Sequence, residues 1–312
     1  MMKRRDSIKT LSATALAGLF PDARAEKVDD KKDRFSIEYV LSSALYGNMK
    51  LDTILPEVAK SGATGLDIWG KPHGSQREEV DEMGVDAFAD LLRKHQTKLT
   101  VSTRYPLGCF GLQPEMPILK KLGGKILVCG SSGPKNPSGE EAKKLMKSFL
   151  EKMKPHADAA GEHGLVIALE NHVNQLLFHP DSIRYFAEFN HHKALGMSFG
   201  PHHLHTFPPK IIPELIRELG NDNIPFIYFQ EHSIGMLKKV DKEIEMQQLP
   251  GRGKLDYVPI VRALRDIQFT GVAEIFMHPT PRGIPILETA EAITGAINQS
   301  RGYIDGCIAK TA

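Results

Sequence analysis

Short apolar runs that stop abruptly at polar residues recur along this chain, each followed by a stretch with helical spacing. The clearest starts at Leu165 and reads Leu-Val-Ile-Ala-Leu-Glu-Asn-His, ending at His172. Gly164 precedes it and Glu170 interrupts it. A partly β-branched run without alternation is what a strand buried on both faces requires, with polar groups held back to its C-terminal tip. An unpartnered carboxylate there would be costly, so something cationic should meet Glu170. The run from Gly271, Gly-Val-Ala-Glu-Ile-Phe-Met-His, repeats the arrangement with Glu274 and His278.

The same reading predicts strands over 35–41, 65–69, 99–103, 125–129, 165–170, 195–199, 225–229 and 272–276. Helices over 51–60, 85–95, 114–122, 138–162, 182–190, 211–219, 258–267 and 287–303 alternate with them, and 233–254 reads as a long polar loop. Asp52 near one helix start, Gly62 after its end, and Glu140 and Glu141 behind Ser138 are the expected terminal signals. Eight strand-then-helix units predict a parallel sheet closed into a (β/α)8 TIM barrel. A doubly wound open sheet would want a glycine-rich phosphate turn after an early strand, and neither GxGxxG nor a P-loop occurs. No nucleotide cofactor is therefore expected. Without a linker or a composition shift, residues 26–312 read as a single domain.

Residues 1–25 read as a cleavable export signal. Lys3, Arg4 and Arg5 precede an apolar stretch over 10–20, and Ala23-Arg-Ala25 offers the small-residue cleavage site. The adjacent arginines, followed by Ile8 and Lys9, are of twin-arginine type, which implies an exported, periplasmic protein. The apolar stretch is too short for a stable membrane span. The apolar fraction of 41% and charged fraction of 25% suit a globular chain with a sizeable core. A formal charge of +2 gives no electrostatic reason to expect nucleic acid as a partner. Cys109, Cys129 and Cys307 form neither a CxxC metal motif nor an even disulfide framework, and read as buried small hydrophobes.

A barrel places chemistry at the C-terminal ends of its strands. Those ends offer Trp69 and His73; Arg104 and Tyr105; Glu170, Asn171 and His172; His202 and His203; Gln230, Glu231 and His232; and Glu274, His278 and Arg282. Carboxylate and imidazole donors of this kind suit a divalent metal: Mn²⁺, Co²⁺, Zn²⁺ or Mg²⁺. Trp69 reads as an apolar wall whose flat face suits a sugar ring. His156, His163, His191 and His192 read as surface or satisfied histidines.

Four stretches carry a resemblance: Gly65-Leu-Asp-Ile-Trp-Gly70, Ala168-Leu-Glu-Asn-His172, Pro250-Gly-Arg-Gly-Lys-Leu-Asp-Tyr257 and Glu274-Ile-Phe-Met-His-Pro-Thr-Pro-Arg-Gly283. On these the chain resembles the xylose isomerase-like barrel superfamily, in particular its sugar phosphate isomerase/epimerase group, over about 35–304. The resemblance implies a metal held by glutamates on strands five and eight, an aspartate on strand six and a histidine on strand seven. Glu170 and Glu274 fall on the glutamate positions. Strand six departs, with Ser-Phe-Gly-Pro-His-His where the group has Asp-x-x-His, and strand seven offers Gln230 at the nearest match and His232 two residues on. The expected ligand set is Glu170, His203, His232 and Glu274, with His202 and Gln230 as the weaker candidates. Two imidazoles shift the preference from Mg²⁺ toward Zn²⁺, Mn²⁺ or Co²⁺.

The expected chemistry is isomerisation or epimerisation of a carbohydrate through an enediolate, with Glu170 and Glu274 as the proton carriers. Trp69, His73, Arg104, His172, His278 and Arg282 are the expected substrate contacts. A keto-glycoside lyase or hydratase would share the intermediate. A non-catalytic sugar-binding barrel is the alternative that the missing aspartate suggests. An apurinic-site endonuclease of the same superfamily is disfavoured by the lack of extra aspartates and of a basic face. A homo-oligomer is compatible with the sequence.

Overall fold

In a computed structural model that describes residues 35–311, the apolar runs become eight strands. They are β1 (Glu38–Ser42), β2 (Gly65–Trp69), β3 (Leu99–Thr103), β4 (Ile126–Gly130), β5 (Val166–Glu170), β6 (Leu195–Phe199), β7 (Phe226–Phe229) and β8 (Val272–Ile275). Between and after them lie α1 (Leu51–Lys60), α2 (Gln76–Met83), α3 (Val85–Lys94), α4 (Glu115–Lys121), α5 (Gly139–Glu162), α6 (Pro180–Phe189), α7 (Ile211–Leu219), α8 (Lys242–Met246), α9 (Val258–Asp266) and α10 (Ala290–Ala309). The expected export signal, residues 1–25, lies outside the described residues.

The strands pair in parallel in chain order, and β8 returns to β1 through Glu38↔Val272, Tyr39↔Ala273 and Val40↔Glu274. The sheet is therefore a closed barrel with no free edge. Every residue of β2, β3, β4 and β6 is buried, as strands covered inside by the barrel core and outside by helices must be. The helices dock through apolar stripes. In α1, Leu51, Ile54, Leu55 and Val58 are buried at helical spacing, and Gly62, at φ +65°, turns the chain toward β2. Cys109, Cys129 and Cys307 are free and buried. No helix among the described residues is long and apolar enough to cross a membrane.

Two segments differ from the sequence reading. The loop after β2 contains α2, whose polar surface masks a narrow buried edge at Gln76, Arg77 and Val80. The predicted loop over 233–254 contains α8 and is pinned to the chain after β8: Thr280 Oγ1 donates to the Gly235 carbonyl (2.7 Å), and Arg282 to that of Met236 (3.0 Å). Tertiary hydrogen bonds, which a periodicity cannot register, order this segment.

Candidate metal and substrate site

At the barrel's C-terminal end, Glu170 terminates β5 and Asn171 follows it. The Asn171 side chain accepts from the Gly200 amide (2.7 Å) and donates to the Gly200 carbonyl (3.0 Å). This double clamp fixes the turn after β6, in which Pro201–Leu204 forms a single 3₁₀ turn. Consecutive residues of so tight a turn can both face inward, and His202 and His203 do. His203 Nε2 lies 3.4 Å and His202 Nε2 4.0 Å from Glu170 Oε1. The Tyr105 hydroxyl donates to Glu170 Oε2.

Glu170, His202 and His203 are all buried, and one ligand atom from each lies within 4.8 Å of the others. Both ring nitrogens of His202, and Nε2 of His203, lack hydrogen-bond partners among the described residues. Buried imidazole nitrogens without partners, converging on a carboxylate, fit a divalent cation. Gly200 makes room for this set. A Cβ there would stand 3.0 Å from His202 Cε1 and 3.3 Å from both Glu170 Oε1 and His203 Cδ2. A side chain at this position would crowd all three.

The cluster opens into a cavity of about 390 Å³ lined by Glu170, Tyr105, His73, His172, His203 and His278, with Met236, Leu237 and Arg282 among the other walls. Burial pushes the Glu170 carboxyl up, but the neighbouring imidazoles and the Tyr105 hydroxyl outweigh it and hold the group below its usual value. Burial, with Arg282 nearby, lowers His73 to about 4, and burial drives His202 and His278 well below the usual imidazole range. At neutral pH these three rings are uncharged and free to ligate, or to accept a proton or a hydrogen bond.

His172 and His278 reach the cavity as expected. The His172 ring centroid lies 4.1 Å from that of His203. His278 is anchored through its backbone to Gln248, at 2.9 and 2.8 Å. Gln230 is buried and donates to Gln248 (3.0 Å), so it supports the His278 segment rather than facing the cluster. His232 lines the cavity wall but stands apart from the cluster, stacked on His205 with centroids 3.4 Å apart.

Three expected residues turn elsewhere, each drawn by a buried carboxylate. Glu274 is fully buried and lies against Asp67 of β2 rather than the cavity. Asp67 accepts from Trp69 Nε1 (2.7 Å) and Thr103 Oγ1 (2.8 Å). Glu274 faces Asp67 and the Ser42 hydroxyl, and a proton of the pair's own lets two buried carboxyl groups stand against each other. Burial, reinforced by the facing Asp67, pushes Glu274 well above the usual range, and burial raises Asp67 to about 7. Trp69 is thereby committed: one ring face stacks on Phe276 at 5.0 Å and 12°, behind His73, and it does not line the cavity. Arg104 leans toward Glu115 (3.7 Å), which Arg77 already binds at 2.8 and 3.0 Å.

Two residues of this site are absent from the expected set. Tyr105 adjoins Arg104 at the tip of β3, and only the barrel's curvature shows which of the two reaches Glu170. Asn171 sits in the quoted Ala-Leu-Glu-Asn-His stretch, but its role needs Gly200 as partner, 29 residues away.

A model of the family described as xylose isomerase-like TIM barrel matches residues 55–295. No curated protein matches the sequence. Among solved structures, the IolI protein with a binding zinc atom is 19% identical, with a TM-score of 0.67 over 88% of this chain and 99% of that one. D-psicose 3-epimerase in the presence of D-fructose is 13% identical, with a TM-score of 0.63 over 87% and 99%. The 3-keto-D-glucoside 4-epimerase from E. coli is 14% identical, with a TM-score of 0.59 over 86% and 100%. At these identities the likeness is one of fold.

Proposed function

This chain belongs to the xylose isomerase-like TIM barrel family, and from that premise we propose that it is a metal-dependent isomerase or epimerase of a keto-sugar. The observation that carries the reading is the convergence of Glu170, His202 and His203 on one point, with Glu170 and His203 facing the open cavity and His202 the neighbouring one. These three residues would hold the ion, and a set with two imidazoles and one carboxylate favours Zn²⁺, Co²⁺ or Mn²⁺ over Mg²⁺. When bound, the cation acts as a Lewis acid on the sugar carbonyl and its neighbouring hydroxyl. Tyr105 fixes the free oxygen of Glu170. His73 and His172 line the same cavity, and His73, neutral at pH 7, is the proton acceptor we assign for the carbon next to the carbonyl. Glu274, protonated against Asp67, sits outside the cavity lining as a fixed neutral carboxyl rather than as a second ligand.

A keto-glycoside lyase would start with the same proton removal. A second cavity of about 460 Å³, sharing His205 and His232 with the first, offers room for an aglycone and favours that variant. Solvent deuterium exchange separates both readings from a non-catalytic barrel, and release of the aglycone separates the lyase from the isomerase. Keto-sugars and keto-glycosides would be incubated in D₂O with the purified protein, with and without each metal. Metal-dependent exchange at the carbon beside the carbonyl, lost in Glu170→Gln, is expected. Tight sugar binding with neither exchange nor bound metal would instead identify a binding barrel. We also propose export through residues 1–25, which the mass of the protein from its native host would check: a start at Glu26 is expected.

A further inference from the structure

Arg282 is the one lysine or arginine side chain lining the cavity beside Glu170 among the described residues. It stands after β8, close enough to His73 and His278 to lower both. One terminal nitrogen donates to the Pro279 carbonyl (2.6 Å) and the other to the Met236 carbonyl (3.0 Å). Two of its five N–H groups are thus used on backbone, and no carboxylate among the described residues lies within ion-pair distance; Glu245, whose charge it feels from farther off, is already engaged by Lys242 and the Thr280 amide. A half-buried guanidinium held rigidly by two carbonyls and given no counter-ion is a receptor for one.

The remaining walls do not supply that charge. Glu170 is committed to His203, His202 and Tyr105, and the pair formed by Asp67 and Glu274 does not line the cavity. The other polar walls are imidazoles, the Tyr105 phenol and the Asn174 amide. We propose that the substrate supplies it: a sugar acid, whose carboxylate docks on Arg282 while its carbonyl end reaches Glu170. A single guanidinium fork matches the two oxygens of a carboxylate. A phosphate dianion would want a second cation, and the lining holds no lysine and no other arginine. The inference rests on the keto-sugar reading of the same cavity and names its substrate class.

Binding calorimetry on the full protein tests it with three matched ligands: a neutral hexose, the uronic acid of the same hexose, and its terminal phosphate. The acid should bind about ten-fold or more tightly than the neutral sugar, as a charge-assisted contact implies. Arg282→Gln should erase that preference and Arg282→Lys should retain part of it. Because Arg282 also ties down the Met236 segment, thermal unfolding of both variants is followed, and salt titration of the wild type supplies a second measure. Acid binding should weaken with salt while hexose binding stays level. Equal affinity for hexose and acid, a preference that survives Arg282→Gln, or tighter binding of the phosphate would overturn the assignment. Metal-dependent exchange on neutral sugars without any preference for the acid would sink this inference alone. An Arg282-dependent acid preference without metal or exchange would leave it standing and sink the isomerase reading. No binding of any of the three would sink both.

Discussion

Two carboxylates stand near the C-terminal ends of two strands of one barrel, Glu170 as the last residue of β5 and Glu274 one residue before the end of β8, and the structure treats them in opposite ways. Glu170 faces imidazoles and a tyrosine hydroxyl, and stays below its usual pKa despite burial. Glu274 faces Asp67, and burial drives it far up. Depth does not distinguish them, since Glu170 is 3% and Glu274 0% exposed. The facing partner does. A buried carboxylate opposite donors keeps its charge and can ligate, whereas one opposite another carboxylate must hold a proton and becomes structural.

The sharpest test of that contrast is paired substitution. Glu170→Gln should lose bound metal by more than the roughly 10–100-fold that outer-shell losses cost, with turnover, while Glu274→Gln should keep metal at the wild-type level. Elemental analysis of both purified variants reads this directly, and equal loss in both would merge the two sites into one. Asn171→Ala should weaken metal affinity by about 10–100-fold, because it frees the turn that carries His202 and His203. Metal titration followed by unfolding temperature measures it.

The protonated pair also predicts a pH dependence. Asp67 has its folded pKa raised to about 7, above an unfolded value of 3.8. Its stabilising contribution is therefore complete below about 4 and disappears as pH rises through about 7. The lowered His73 works in the other direction, losing stability as pH falls toward about 4. The informative quantity is thus the stability of wild type minus that of Glu274→Gln, measured by denaturant titration from pH 4 to 8. It should decline with pH, and a flat difference would mean that the pair shares no proton. Trp69→Phe removes the indole donor to Asp67 and should cost about 1–3 kcal/mol with metal content unchanged. The smallest effect is expected from His232→Ala. Its ring stacks on His205 away from the cluster, so metal stoichiometry should not move.

Much of the fold could be read from the chain alone. Doubly buried parallel strands must be continuous apolar runs, and amphipathic helices must show their stripe, so both leave local marks. The predicted strands over 65–69, 99–103 and 195–199 coincide with β2, β3 and β6, and the predicted helix over 51–60 with α1. α2 and α8 are short and polar, and they are held by contacts rather than by a stripe.

The site was legible only in part. Glu170, as a carboxylate closing an apolar run, announces that something must meet it, and His202 and His203 lie in the next strand tip. Which imidazole faces inward depends on the 3₁₀ turn and on the Asn171 clamp, set by residues far apart in sequence. Glu274 carries a similar local signature, a glutamate in an apolar run that leads to a histidine, but Ile275, Phe276 and Met277 follow it where Asn171 and His172 follow Glu170.

The sequence by itself determined the alternation, the barrel and the stations at which polar groups could gather, because period and burial are properties of neighbouring residues. Tertiary structure alone decided which of those groups share a space. Asp67 meets Glu274 across β1, and Tyr105 meets Glu170 across β4, through closure of the sheet. Charge state follows from those meetings, since a buried carboxyl group is ionised or neutral according to what stands opposite it.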